Sequence, residues 1–266
     1  MSNAGTFRSL HHAERVLVLP NAWDAASARL VEECGATAIA TTSAAVAWAH
    51  GRADGEQLEP AALLATVRAI VRVVRVPVSV DAEAGYSDAP EGIEGVMTAL
   101  VDAGAVGVNL EDGVVAPERL AEKVGVAKRA AARAGAELYV NARTDVYLKN
   151  LATGDAAVAE TLRRARMYRD AGADGLFVPG LVDPESIRTI AREAGLPLNL
   201  LARANLAPVE QLWTLGVRRL SVGGSLALAA LGLVRRATRE LLDRGTYGAL
   251  FAESVAGGEL NGWFKR

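Results

Sequence analysis

The stretch Asp102-Ala103-Gly104-Ala105-Val106-Gly107-Val108-Asn109-Leu110-Glu111-Asp112-Gly113 reads as a helix end, a glycine stop, a strand and an acidic strand terminus in direct succession. The glycine fits the left-handed position that closes a helix. The apolar run after it has the composition of a buried strand. The same joint recurs in Glu32-Glu33-Cys34-Gly35-Ala36, Asp170-Ala171-Gly172-Ala173 and Leu215-Gly216-Val217, each ahead of another strand-like run. Working outward from these joints, strands are expected over residues 16–20, 36–41, 76–81, 106–110, 137–142, 175–178, 198–202 and 219–222. A segment of helical composition follows each one. About eight β-then-α units result, the number that closes a parallel barrel. The expected fold is therefore a (β/α)₈ TIM barrel in a single domain over residues 1–266, with the barrel at about 15–245 and a C-terminal helical tail at 246–266. The alternative, an open doubly wound sheet, starts with a Gly-rich phosphate turn after its first strand. Here that strand runs into Pro20-Asn21-Ala22-Trp23-Asp24 instead. Tyr247, Phe251, Trp263 and Phe264 in the tail are expected to pack on the barrel or on a neighbouring subunit, since exposed aromatic clusters are unfavourable in water.

Composition narrows the class of function. Hydrophobic residues make up 51% of the chain, enough for a large core, and the net charge of −2 comes from well-mixed acids and bases. No basic stripe suggests nucleic acid. Lys128, Arg129 and Arg133, like Arg163, Arg164 and Arg166, read as solvated helix faces. The single cysteine, Cys34, permits no intrachain disulfide and reads as a buried packing residue near a helix end. No signal-like N-terminus and no membrane-length apolar run is present, so a cytoplasmic protein without membrane contact is expected.

Chemistry in such barrels sits at the C-terminal strand ends. Three successive strands end in Asp81-Ala82-Glu83-Ala84-Gly85-Tyr86, Asn109-Leu110-Glu111-Asp112-Gly113 and Asn141-Ala142-Arg143-Thr144-Asp145. Acids gathered this closely repel unless a cation or shared protons compensate. Oxygen donors without a His/Cys set suit Mg²⁺ or Mn²⁺. Asp81 and Glu83 are two apart and share a strand face, Glu111 can approach from the adjacent strand, and Arg143 can clamp a substrate carboxylate with its planar fork. Asp112 suits either a supporting or a loop position, Asp145 a loop or cap, and Asp88 and Asp183 helix caps. Thr42 and Ser43, Asp54 and Asn199 are candidates for substrate contact. Ser221 and Gly223-Gly224 end the last strand, where barrels often bind an anion. His11, His12 and His50 receive no catalytic role.

Taken together, Pro20-Asn21-Ala22-Trp23-Asp24-Ala25-Ala26-Ser27-Ala28-Arg29, Asp81-Ala82-Glu83-Ala84-Gly85-Tyr86, Asn109-Leu110-Glu111-Asp112 and Ala142-Arg143-Thr144-Asp145 resemble the isocitrate lyase/phosphoenolpyruvate mutase superfamily over roughly residues 7–240. The resemblance implies a Mg²⁺-dependent enzyme acting on a small oxo-acid through an enolate. It implies that Asp81, Glu83 and Glu111 hold the metal directly or through water, and that Arg143 binds substrate carboxylate. Thr42 and Ser43 fall where the family has a Ser-Gly pair at the substrate's acidic end, and Asp54 falls near a further family aspartate. It also implies a homo-oligomer, dimer or tetramer, sometimes with exchange of the last helix. The departures are specific. Family lyases carry a Cys- and His-containing gating loop after the fourth strand; here the chain reads Gly113-Val114-Val115-Ala116-Pro117. The phosphonomutase loop is missing as well. Pro179-Gly180 stands where family lyases often have a Glu, and Ala40 where an aromatic is common. The expected activity is carbon–carbon cleavage of a small 2-oxo or hydroxy (di)carboxylic acid, with Tyr86 a candidate proton donor. Carbon–phosphorus chemistry on a phosphonate and a non-catalytic carboxylate-binding barrel remain as alternatives.

Overall fold

Proline donates no ladder hydrogen bond, and at Pro20 the first stave of the sheet breaks into β1 (Leu17–Leu19) and β2 (Asn21–Ala22). The remaining strands are β3 (Ile39–Thr41), β4 (Val78–Asp81), β5 (Gly107–Glu111), β6 (Tyr139–Arg143), β7 (Gly175–Phe177), β8 (Leu198–Leu201) and β9 (Val217–Ser221) in a computed structural model that describes residues 2–265. All pairs are parallel, in the order β1-β9-β8-β7-β6-β5-β4-β3-β2. Because β1 and β2 are one stave, this order is a closed ring, the TIM-like barrel the sequence implied. The helices are α1 (Asn3–Leu10), α2 (Ala25–Glu33), α3 (Ser43–Ala49), α4 (Pro60–Val73), α5 (Pro90–Asp102), α6 (Pro117–Arg133), α7 (Gly154–Asp170), α8 (Pro184–Glu193), α9 (Val209–Thr214), α10 (Ser225–Arg244), α11 (Gly248–Phe251) and α12 (Gly257–Phe264). Among the described residues no helix is long and apolar enough to cross a membrane.

The recurrent glycine joint has the expected conformation. Gly104 (φ +95°) and Gly172 (φ +104°) turn the chain from α5 into β5 and from α7 into β7 in the left-handed region that side chains avoid. Outward-facing Val80, Val108, Val140, Leu176 and Leu200 then join the main core under the helices.

Asn21, from the Pro20–Asp24 motif, stitches the seam beside the broken stave. Its amide donates to the Thr41 carbonyl at 2.7 Å and its Oδ1 accepts from the backbone of Val222 and Gly223, both at 2.9 Å. Those two N–H groups are therefore engaged by the chain itself and are not an open anion nest. Asp24 caps α2 in a reciprocal box with Ser27. Asp183 caps α8 as expected, whereas Asp88 pairs with Lys123 at 3.2 Å and leaves the start of α5 to Ala89.

Helix α1 plugs the N-terminal floor. Phe7 is buried with Leu17, Leu19, Ala38, Ala40 and Tyr139 inside the barrel, and His11 stacks on Tyr139 at 4.1 Å. Glycine makes the room: a Cβ at Gly107 would stand 2.7 Å from the Phe7 ring, and one at Gly175 2.7 Å from the Tyr139 hydroxyl. Asp174 ties the floor together, accepting from Arg8 Nη1, Lys128 Nζ and the Val140 amide, each at 2.8 Å. Lys128 thus belongs to a network and not to a solvated helix face.

One further reading is corrected. Cys34 is exposed at the end of α2, because no helix covers that wall. Helix α10 follows the last stave, yet its principal neighbours are α11 and β2, and Leu228, Leu231, Val234 and Leu242 face solvent. Tyr247 and Phe251 stack edge-on with one another and, like Phe264, stay exposed, so they do not pack on their own barrel.

Candidate active site

Strand pairing brings the three acidic termini together at the C-terminal mouth. Asp81 lies in register with Asn109, and Glu111 with Arg143. Thr41 Oγ1 accepts the Asp81 amide at 2.9 Å, fixing the end of β4. The Asp81 carboxylate is served on one side only. Oδ2 accepts from the Ser43 amide at 3.1 Å and the Ser43 hydroxyl at 2.8 Å, while buried Oδ1 has no hydrogen-bond partner. An unserved buried carboxylate oxygen is costly.

Glu83 sits beyond the strand in a left-handed conformation (φ +48°), as do Glu56 (φ +56°) and Tyr86 (φ +60°). Such strain in non-glycine residues persists only where surrounding bonds enforce it. Here they do. Glu83 accepts from the Glu56 amide and, at 2.9 Å, from the Tyr86 hydroxyl, and the Tyr86 amide donates to Glu56 at 2.6 Å. The loop carrying Asp54 and Glu56 is thereby fastened over the end of β4. Burial raises the pKa of Glu83 against these two bonds, with Asp81 and Asp54 adding like-charge repulsion.

Arg143 Nη1 forms a salt bridge with Glu111 at 2.6 Å, and its Nε and Nη2 form a fork onto Asp145 at 2.8 and 3.0 Å. Burial works against the charge of Arg143 and is outweighed by Glu111, Asp145 and Asp81, so its pKa is raised. Glu111 is pushed up to about 8 by burial, with Arg143 opposing and Asp81, Asp145 and Glu83 repelling it. Asp81 and Glu83 thus both act on Glu111, and Asp81 acts on Glu83.

Asp145 lies in the loop after β6, as expected, yet it is fully buried there, where it accepts the Arg143 fork and its own amide donates to Asp112 at 2.9 Å. Asp112 takes the supporting option, also accepting from Arg164 at 2.8 Å and from the Tyr168 hydroxyl. Arg164 is accordingly buried and not on a solvated face. Thr42 is buried at the start of α3, and the donors of Ser43 are spent on Asp81 in this conformation. Asp54 is exposed within reach of Glu83's field. Asn199 lies inside the barrel, donating to Ser221 at 3.2 Å.

Sequence reading missed Glu56, which no motif flags, and Arg219, for which a signal existed. Strand β9 carries consecutive arginines, and period-two alternation sends one inward: Arg218 lies over Trp213, while Arg219 is fully buried.

Fold and mouth together define a class: a closed parallel barrel with acids and one oriented arginine at adjacent C-terminal strand ends. Within it, the chain belongs to the phosphoenolpyruvate phosphomutase family, whose profile matches residues 7–242, in the phosphoenolpyruvate mutase/isocitrate lyase superfamily. That superfamily comprises enzymes, lyases and hydrolases, acting on small carboxylic acids. An uncharacterized Mycobacterium tuberculosis protein is 37% identical over 242 residues, covering 90% of this chain and 89% of its own. An oxaloacetate decarboxylase of Ectopseudomonas mendocina is 30% identical over 247 residues, covering 88% and 82%. A crystal structure from Burkholderia cenocepacia, provisionally described as a phosphonomutase, is 40% identical with a TM-score of 0.86, over 89% of this chain and 99% of that one.

Proposed function

We propose that the protein is a Mg²⁺- or Mn²⁺-dependent lyase that cleaves the carbon–carbon bond beside a carboxylate in a small 2-oxo or hydroxy (di)carboxylic acid, by way of an enolate. The observation that carries this reading is the partnerless buried Oδ1 of Asp81 among the carboxylates of Glu83 and Glu111. Among the described residues no three Asp, Glu, His or Cys side chains surround a point closely enough to cage an ion. Mg²⁺ needs no cage; it keeps several waters and takes one or two carboxylates. Asp81 Oδ1 suits direct contact, and Glu83 and Glu111 suit contact through water. When bound, the ion supplies electrostatic stabilisation of the negative charge that develops as the bond breaks.

The chain's own groups supply the rest. Arg143 keeps N–H groups on its terminal nitrogens beyond the one Nη2 gives to Asp145, and these bind the substrate carboxylate while Asp145 holds the guanidinium plane. Thr42, Ser43 and Asp54 border the far end of the substrate. Tyr86 holds Glu83 through its hydroxyl, and burial and that carboxylate raise its pKa, so the hydroxyl stays protonated. Protonation of the enolate falls to this hydroxyl or to water, since the short loop 113–116 offers only Val114 and Val115.

The relative from Ectopseudomonas makes oxaloacetate the first substrate to assay. Mg²⁺-dependent turnover that disappears in Asp81→Ala supports the reading. Absence of turnover together with no Mg²⁺-induced thermal shift removes it. The similarity to the Burkholderia structure favours phosphonopyruvate as the second substrate, and turnover of it alone would select carbon–phosphorus chemistry.

We further infer a homo-oligomer in which a second copy's α10 fills an apolar groove of about 980 Å³ lined by Trp23, Leu30, Val31, Val209, Trp213 and Leu226. The groove occupies the wall where the barrel's eighth helix belongs, and α10 is the helix left unpacked. Light scattering of Leu231→Glu checks it: a shift to monomer is expected, and an unchanged mass contradicts it.

A further inference from the structure

Arg219 heads the fully buried side chains by volume and lies inside the barrel, in register with Leu17 on β1 and Asn199 on β8. Its hydrogen bonds go to neutral groups, Nε to Ser221 Oγ at 3.3 Å and Nη2 to Asn109 Oδ1 at 3.4 Å, and buried Nη1 has no partner. A buried cation without an anion in contact is expensive. Burial draws the Arg219 pKa down to about 10, opposed by Tyr139 and Asp81. Of those two, Tyr139 has its own pKa raised by burial, which keeps it neutral and leaves Asp81 as the balancing acid.

Geometry links the same pair. Asp81 is the register partner of Asn109, and Asn109 is the residue Arg219 reaches. Register partners on neighbouring strands share a sheet face, so Asp81 and Asn109 project together into the lumen. The register partner of Asn109 carries a buried acceptor without a donor, Asp81 Oδ1, and the guanidinium that reaches Asn109 carries a buried donor without an acceptor, Arg219 Nη1. Ser79 Oγ and the Tyr139 hydroxyl are likewise buried and unpartnered along the same lumen. Buried polar groups in this state are ordinarily joined by internal water.

We propose that Arg219 is a positioning residue, the internal counter-cation of the acidic mouth, joined to Asp81 through buried water beside Asn109, balancing the carboxylates before metal binds and weakening the mouth's hold on a divalent cation. The inference rests on the metal-platform reading of Asp81. A fixed positive charge on the barrel axis repels an arriving cation, and the low-dielectric interior screens that repulsion poorly.

The test is Mn²⁺ binding by calorimetry to the wild type, Arg219→Gln and Arg219→Lys, with circular dichroism as the check on folding. Arg219→Gln is expected to bind Mn²⁺ on the order of tenfold more tightly, and Arg219→Lys within about twofold of the wild type. The thermal midpoint of Arg219→Gln without metal should fall, and Mn²⁺ should restore more of it than in the wild type. A merely structural role lowers affinity in both variants, and that result, or unchanged affinity in Arg219→Gln, overturns the proposal while leaving the metal platform intact. No Mn²⁺ binding by the wild type overturns the platform reading and this inference with it. Should Arg219→Gln fail to fold, a high-resolution metal-free crystal structure decides: water bonded to both Nη1 and Oδ1 supports the proposal, and a dry lumen refutes it.

Discussion

Two carboxylates at opposite ends of the barrel have opposite circumstances. Asp174 at the floor receives three donors, from α1, α6 and β6, and lies beneath a helix plug whose Phe7 and His11 fit against Tyr139. Asp81 at the mouth receives donors on one oxygen only, among Glu83 and Glu111 and beside a loop held in strained conformations. The floor satisfies Asp174 with the chain's own groups. The mouth leaves an acceptor open and keeps like charges together, an arrangement a folded chain retains where a ligand completes it. Stability and function are thus divided along the barrel axis.

The division can be broken from either end. The largest effect is expected for Asp81→Ala: a loss of turnover on the order of 10³-fold, with a small change in thermal midpoint, because relief of repulsion with Glu111 and Glu83 is offset by loss of the charge that balances Arg219. Steady-state kinetics beside a melting curve checks both halves. Arg143→Lys keeps the charge but loses the fork onto Asp145, and roughly a 10²-fold fall in kcat/KM is expected, mainly through KM. At the floor the pattern inverts. Asp174→Ala strands Lys128 and the Val140 amide and should cost about 2 kcal/mol in denaturant unfolding, with kcat/KM within about twofold of the wild type. A large loss of activity without loss of stability there would erase the distinction.

The smallest effect sharpens the floor. Burial and the nearby Arg219 pull the His11 pKa from 6.5 down to about 3, against its bond to the Phe7 carbonyl. Below the ordinary value the unfolded chain takes up the proton first, so His11 contributes stability in full above pH 6.5 and loses it as pH falls toward 3. Urea midpoints measured between pH 7 and 4 should fall more steeply for the wild type than for His11→Asn. Parallel curves would show that His11 does not titrate in this way.

Much of this was legible before any coordinates. Glycine joints and strand-length apolar runs are local signals, so the eight staves could be read, and the acids at the ends of β4 and β5 stood out because consecutive carboxylates at strand ends are chemically conspicuous. What escaped depends on the direction of side chains and on contacts distant in sequence. Asp145 looks like a cap until Arg143 is seen folding back onto it, and Arg164 looks solvated until Asp112 meets it from 52 residues away. Cys34 reads as buried because cysteine is among the residues most often found in cores, yet it is exposed at the end of α2. The inward turn of Arg219 is available from alternation along β9, which puts it on the same face as Ser221.

The most direct test of the open mouth is a crystal structure grown with Mg²⁺ and oxalate, a mimic of an enolate. The account predicts a cation about 2.1 Å from Asp81 Oδ1, with Glu83 and Glu111 reaching it through water and the oxalate bonded to Arg143. A cation and an oxalate bound away from Asp81, Glu83, Glu111 and Arg143, or a mouth that stays free of both at saturating concentrations, would contradict it.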